Sequence, residues 1–174
     1  FMNALTNTGI YVAVVVPVSA ALAIVLANLL NRKVRGMAIF QTAYFLPMVT
    51  SAMAVGLAWR YIFLRDFGVL NQVLGWFGVD KINWLQKYPW SLYALILFGI
   101  WSNLPFTIIL ILSGLQNIDE TYYTVARVDG AKSMRIFFRI TVPLLAPTIG
   151  LVLTINTISG SKVFSELFAL FNGP

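Results

Sequence analysis

The sequence predicts an all-α protein, a polytopic transmembrane helical bundle with about four spans. Three observations carry that expectation. Hydrophobic residues make up 59% of the 174 residues and charged residues only 10%, against about 25% charge in a soluble domain. The mean hydropathy is +0.83. The apolar residues also gather into four stretches, each able to supply the roughly 20 helical residues that cross a hydrocarbon core of about 30 Å.

The first stretch covers about 8–30. Pro17 lies inside it and should kink it, because proline removes a backbone donor. Ala20, Ala21, Ala23 and Ala27 offer a small-residue side for close helix contact, and the basic knot Arg32, Lys33, Arg35 ends it. The second stretch covers about 37–59, with Pro47, Thr50, Ser51 and Gly56 inside. That composition reads as bent helix facing protein, its hydroxyls either satisfying backbone locally or touching a solute.

Residues 60–90 form an aqueous or interfacial connection bearing Arg60, Arg65, Asp66, Asp80, Lys81 and Lys87. Trp59, Trp76, Trp84 and Trp90 mark it as expected for rings at headgroup level. Gly68 to Phe77 reads as a short helix lying along the surface.

The third stretch covers about 91–112 and holds Gly99, Trp101, Ser102, Asn103, Pro105, Phe106 and Thr107. An unpartnered amide in hydrocarbon costs a few kcal/mol, so Asn103 must face another helix or water. Either an interhelical hydrogen bond or a polar pathway meets that need. The fourth stretch covers about 148–170 and is unusually polar, with Asn156, Thr157, Ser159, Gly160, Ser161, Lys162, Ser165 and Glu166. Asn156, Ser159 and Lys162 or Val163 recur at helical spacing on one face. Lys162 and Glu166 stand four apart and can pair. Lys162 either snorkels, balances Glu166, or marks a functional site within the membrane.

Between the last two stretches lies a charged insert. Asn117 or Asp119 can cap a short helix whose first turn carries Asp119 and Glu120, where the helix dipole favours negative charge. Asp129-Gly130 supplies a turn, with glycine free to take positive φ. A second amphipathic piece follows, apolar at Ile136, Phe137 and Ile140 and basic at Lys132, Arg135 and Arg139, closed by Pro143 and Pro147.

Several function classes fall away on composition. The chain has no Cys and no His, which removes thiol catalysis, disulfides, imidazole bases and the common zinc sites. The net charge of +6 does not indicate nucleic acid, since the basic residues are scattered among apolar spans and collect in loops. No Walker-type glycine-rich loop is present, so the chain does not itself bind ATP. An intramembrane enzyme would need paired carboxylates or a nucleophile with its base, which the spans lack. An ion-gradient-driven secondary transporter is the remaining alternative, with Glu166 as its one candidate intramembrane carboxylate.

The insert resembles the EAA loop of the inner-membrane permeases of binding-protein-dependent ABC importers. Ala126, Asp129, Gly130, Ala131, Phe137, Ile140, Pro143 and Pro147 fall in its register, while Thr124 replaces the family's Glu and Val125 its first Ala. Asn31 to Gly36, Phe45-Leu46-Pro47, Gly56 to Arg60, Gly114 to Ile118 and Asn172-Gly173-Pro174 extend the likeness to the carbohydrate branch, the maltose and glycerol-phosphate type.

The resemblance implies a MetI-like permease fold and a prokaryotic inner-membrane, multi-pass location. Its function would be to form the translocation path of an ATP-driven importer for an oligosaccharide or sugar derivative, acidic ones included. It implies coupling to ATPase subunits through residues 119–131, by Glu120, Tyr122, Tyr123, Thr124, Ala126, Val128, Asp129, Gly130 and Ala131. It assigns the pathway to Gly99, Ser102, Asn103, Phe106, Asn156, Ser159, Gly160, Lys162 and Val163. The partners it implies are a second permease in a heterodimer, two ATPase subunits carrying ATP and Mg, an extracytoplasmic solute-binding protein, and lipid; residues 60–90 either help dock that binding protein or form a simple interfacial loop. One further span is expected before Phe1 and one after Pro174. Basic residues agree on sidedness: Arg32, Lys33, Arg35, Arg127, Lys132, Arg135 and Arg139 in the connections 31–36 and 114–146 outnumber Arg60, Arg65, Lys81 and Lys87, which puts the first two connections inside the cell.

Overall fold

A computed structural model describes residues 2–31, 42, 45, 48–162 and 165–171. The basic knot Arg32, Lys33, Arg35, the proline expected to bend the second stretch (Pro47), Val163 and the terminal Asn172-Gly173-Pro174 lie outside the described residues.

The elements run α1 (Met2–Leu30), α2 (Ala52–Ile62), α3 (Val69–Trp76), α4 (Trp90–Gln116), α5 (Glu120–Val128), α6 (Ser133–Ile136), a π-helical segment (Phe137–Thr141), α7 (Val142–Leu144), α8 (Ala146–Ser161) and α9 (Ser165–Phe171). Among these, α1 from Leu5 and α4 are each long and apolar enough to cross a membrane, and the bent pair Ser133–Leu144 and Ala146–Ser161 makes a third if counted as one span.

The core is built on α1 packed against α4 and α8. Ala20, Ala23 and Ala27 are buried against Ile108, Ile111, Leu115, Leu145 and Val152, because side chains this small let helix backbones approach. Ala21, expected on that side, is exposed: at 100° per residue it falls off the stripe that 20, 23 and 27 share. The opposite side of α1 presents Ile10, Val14, Val18, Leu22, Val25 and Leu29 outward, a continuous apolar stripe suited to hydrocarbon.

A second cluster joins Tyr11, Val15, Phe63, Ala94, Leu95, Phe98 and Leu170. Aromatic rings extend it from Trp101 to Trp59 (5.3 Å between centroids), Phe63 (5.4 Å), Trp84 (6.2 Å), Trp90 (5.4 Å) and Tyr93 (5.8 Å). Trp59 and Trp84 are half-buried within this run of rings, while Trp76 is 83% exposed.

The stretch expected as one span over 148–170 is two helices. α8 stops at Ser161, with Lys162 as its C-cap (φ −107, ψ 18), and α9 begins at Ser165. α9 packs on α2. At its other end α8 turns 65° from the segment before it. Pro147 explains the break, since it cannot donate to the Pro143 carbonyl and its ring crowds that group. The π-helical turn just before it carries Phe137 and Ile140 of the amphipathic piece.

Candidate functional site

Two regions hold the residues singled out from the sequence. The first is α5. Asp119 is its N-cap: the carboxylate accepts a hydrogen bond from the Thr121 backbone N–H at 2.8 Å, which answers one of the orphan donors of the first turn. That backbone bond, with a smaller side-chain contribution from Thr121, holds the Asp119 pKa below the ordinary carboxylate value. Asn117, the other candidate cap, instead closes α4, its N–H shared between the Ser113 and Gly114 carbonyls at 3.3 Å.

The C-terminus of α5 is closed by a Schellman motif. Gly130 N–H donates to Arg127 O at 3.0 Å and Ala131 N–H to Ala126 O at 2.9 Å. Gly130 takes φ +74, the left-handed region that costs other residues roughly 1–2 kcal/mol. The short helix is therefore fixed at both ends by its own sequence.

Its sides divide the expected coupling residues. Tyr122 and Val128 are exposed at 55% and 83%, and so are Glu120, Thr124 and Asp129. Ala126 is buried and Ala131 half-buried. Tyr123 turns inward, where its hydroxyl accepts a long hydrogen bond from Thr141 Oγ1 at 3.5 Å. Thr124 donates back to the Glu120 carbonyl at 3.2 Å. Ala126 and Tyr123 thus hold α5 to its own chain. Val125, which sequence reasoning passed over, is 55% exposed and completes an outward row with Tyr122 and Val128. Spacing of i, i+3, i+6 was the signal available for it. Behind α5 lies a polar cleft of about 840 Å3 lined by Asn28, Asn31, Asp119, Glu120, Tyr123 and Arg127 among others.

The second region is the contact of α4 with α8 and α1. Asn156 is 2% exposed, and its Nδ2 donates to Thr107 Oγ1 at 3.0 Å. Thr107 Oγ1 donates to the Asn103 carbonyl at 2.8 Å, and Asn103 Nδ2 donates to the Gly99 carbonyl at 2.9 Å. Thr107, 0% exposed, is the bridge that the sequence reading did not single out. Asn103 meets its need within α4, and Asn156 makes the interhelical bond. Both amides escape the several-kcal/mol penalty of an unpaired polar group.

Gly99 and Gly160 are buried for a different reason. A Cβ on Gly99 would collide with the Tyr11 ring, 2.8 Å from its Cζ, and one on Gly160 would stand 3.3 Å from Val12 Cγ2 and 3.7 Å from Tyr11 Cε1. Tyr11 is therefore seated against Gly99, while Val12 is the close neighbour of Gly160. Gly99, Asn156 and Gly160, expected along a pathway, are buried at these helix contacts.

Ser102, Phe106, Ser159 and Lys162 reach the surface of α4 and α8. Thr154, Thr157 and Ser161 add an exposed hydroxyl row on α8. Each donates to the carbonyl four residues earlier, at 2.9, 2.7 and 2.8 Å. Such back-bonded hydroxyls spend their proton locally and keep an oxygen able to accept. The side chain of Glu166, the expected partner of Lys162, lies outside the described residues. No group of acidic side chains with metal-site geometry occurs among the described residues.

The chain is 33% identical over 173 residues to the arabinooligosaccharides transport system permease protein AraP of Halalkalibacterium halodurans, covering 98% of this chain and 55% of that relative. It matches the structure of a bacterial ABC transporter involved in the import of the acidic polysaccharide alginate, with a TM-score of 0.85 and 28% identity over 98% of this chain and 61% of that one. It also matches a bacterial alginate ABC transporter in complex with an alginate pentasaccharide-bound periplasmic protein, at a TM-score of 0.77 and 26% identity, over 95% of this chain and 61% of that one. The chain spans little more than half the length of the curated relatives it matches. Residues 11–174 match the family described as binding-protein-dependent transport system inner membrane component. With its all-helical, membrane-spanning bundle, the chain belongs to the family of binding-protein-dependent transport system inner membrane components.

Proposed function

We propose that this chain is the core of a permease subunit that lines the path of an ATP-driven importer for oligosaccharides or sugar derivatives. α5 is the element that receives the stroke of partner ATPase subunits. The observation that carries the reading is the capped, outward-facing row Tyr122, Val125, Val128 on a helix joined to α4 by only Asn117, Ile118 and Asp119. A short stiff link transmits displacement, whereas a long one absorbs it. A push on α5 reaches α4 through that link and the α7–α8 arm through the contact of Tyr123 with Thr141. Thr124, in place of the family's Glu, leaves the apolar row intact, and packing at such a row dominates many interfaces. The protein sits in the inner membrane as a multi-pass component.

The partners are a second permease in a heterodimer, two ATPase subunits holding ATP and Mg, and a solute-binding protein outside the membrane. The first test places a single Cys at Val128 of the full-length permease and another in the surface groove of its ATPase subunit. A disulfide whose yield changes with ATP is the expected result. No cross-link at Val128, Val125 or Tyr122 in inserted protein would overturn it in favour of an ion-driven transporter using Glu166.

The solute of this reading includes acidic sugars. One solved relative imports acidic alginate, and Lys162 is an exposed cation at the break between α8 and α9. Lys162→Gln is expected to raise KM for a uronic-acid oligosaccharide several-fold and to leave uptake of a neutral oligosaccharide unmoved. Equal effects on both would remove Lys162 from solute recognition.

A further inference from the structure

α3 stands at the end of the bundle opposite α5, since the two flank opposite ends of α4. It carries no charged residue. Val69, Val73 and Trp76 recur at i, i+4 and i+7 and are 58%, 37% and 83% exposed, with Phe77 following at 79%.

The opposite side of α3 is pinned by Asn71, which is 5% exposed. Asn71 Nδ2 donates to Ile82 O at 2.8 Å and Arg65 O at 3.0 Å, with Leu64 O at 3.4 Å. Its Oδ1 accepts from Trp84 Nε1 at 3.0 Å and Ile82 N at 3.2 Å. One amide therefore holds the loops on both sides of α3. The apolar face is thereby presented on the side of α3 away from Asn71.

Charges bracket the helix without entering it. Arg65 and Asp66 precede it, Asp80 and Lys81 follow, and Lys81 Nζ lies 3.6 Å from Asp66 Oδ1 with both side chains exposed. The site of this amphipathic unit names its occupant. α4 is long enough to span the membrane, so its Trp90 end reaches a membrane surface, and Tyr93 and Leu97 continue outward from that end along α4 at 50% and 43% exposure. Rings at such an end meet the headgroup layer, and an amphipathic helix there lies in its plane.

We propose that Val69, Val73, Trp76 and Phe77 form an interfacial anchor embedded in the lipid leaflet opposite α5. It fixes the depth of the Trp90 end of α4 while the α5 end moves.

The test uses the full-length permease assembled with its partner subunits in phosphatidylethanolamine–phosphatidylglycerol liposomes, its other cysteines replaced. Single nitroxide labels go on Val73→Cys, Trp76→Cys and, as an aqueous control, Asp80→Cys. Val69→Cys replaces any label on the face that blocks assembly. Labels at 73 and 76 are expected to relax several-fold more with oxygen than with an aqueous nickel chelate, relative to the label at 80. The preference should persist with and without the solute-binding protein. Relaxation dominated by nickel would place the face in water. Shielding from both reagents would place it against a protein, and a preference that arises only with the solute-binding protein would make it a docking site. Each of these three results overturns the proposal. None depends on transport, so the proposed function stands or falls separately.

Discussion

Gly99→Ala is expected to destabilise the bundle, although alanine is the better helix former. In the middle of α4 the exchange gains about 1 kcal/mol of helix propensity. Against this, the new methyl would stand 2.8 Å from Tyr11 Cζ and 2.9 Å from Cε2, closer than packed carbon atoms allow. Tyr11 cannot yield easily, because it is 3% exposed within the cluster of Val15, Phe98 and Leu170. Overpacking of a well-filled core costs about 1–3 kcal/mol, and a contact this close belongs at the upper end, so the steric cost wins.

The measurement is the thermal midpoint of the purified full-length permease in nanodiscs. Tyr11→Phe should relieve the clash only in part, since it removes the hydroxyl, the atom nearest the new methyl, but leaves Cζ in place. Tyr11→Leu should relieve it. The double variant Gly99→Ala/Tyr11→Leu is then expected to be more stable than the sum of the two single changes by about 1–2 kcal/mol. Additive losses would mean that α1 and α4 are not in contact at this notch.

Val125→Asp combined with Val128→Asp should separate assembly from folding. Both residues are exposed in this chain, and exchanges at such surface positions usually change stability by no more than about 0.5 kcal/mol. An apolar residue desolvated at the centre of an interface is worth about 2 kcal/mol or more, equivalent to roughly thirtyfold in affinity per site. The double variant is expected to insert normally, to lose co-purification of the ATPase subunits, and to lose uptake by roughly thirtyfold or more. Retained co-purification and uptake would show that this row is not the docking face. Ala126→Leu is the contrasting case. Ala126 is 8% exposed, so enlarging it should lower stability before it affects docking.

The parts of α5 that were legible in the sequence are local ones. Asp119 caps because its carboxylate needs only the amide two residues on, and Gly130 takes positive φ because glycine lacks the Cβ that forbids it. Neither depends on a distant residue. Which side of α5 faces outward was another matter. Tyr122 and Tyr123 are equally apolar in sequence, and only the structure shows that Tyr123 is the one that meets Thr141.

The same division runs through the spans. Composition and apolar length alone determined that the chain is helical and membrane-spanning, because a bilayer leaves the backbone few other ways to satisfy its hydrogen bonds. Tertiary structure decided what each polar or small residue in those spans does. A mid-span Asn can bond its own helix, as Asn103 does to Gly99, or a neighbour, as Asn156 does to Thr107. Glycine at 99 and 160 reads as part of a pathway, and only the packed structure sets Tyr11 against the one and Val12 against the other. Helical spacing specifies which residues share a face, but what that face meets depends on how the helices pack.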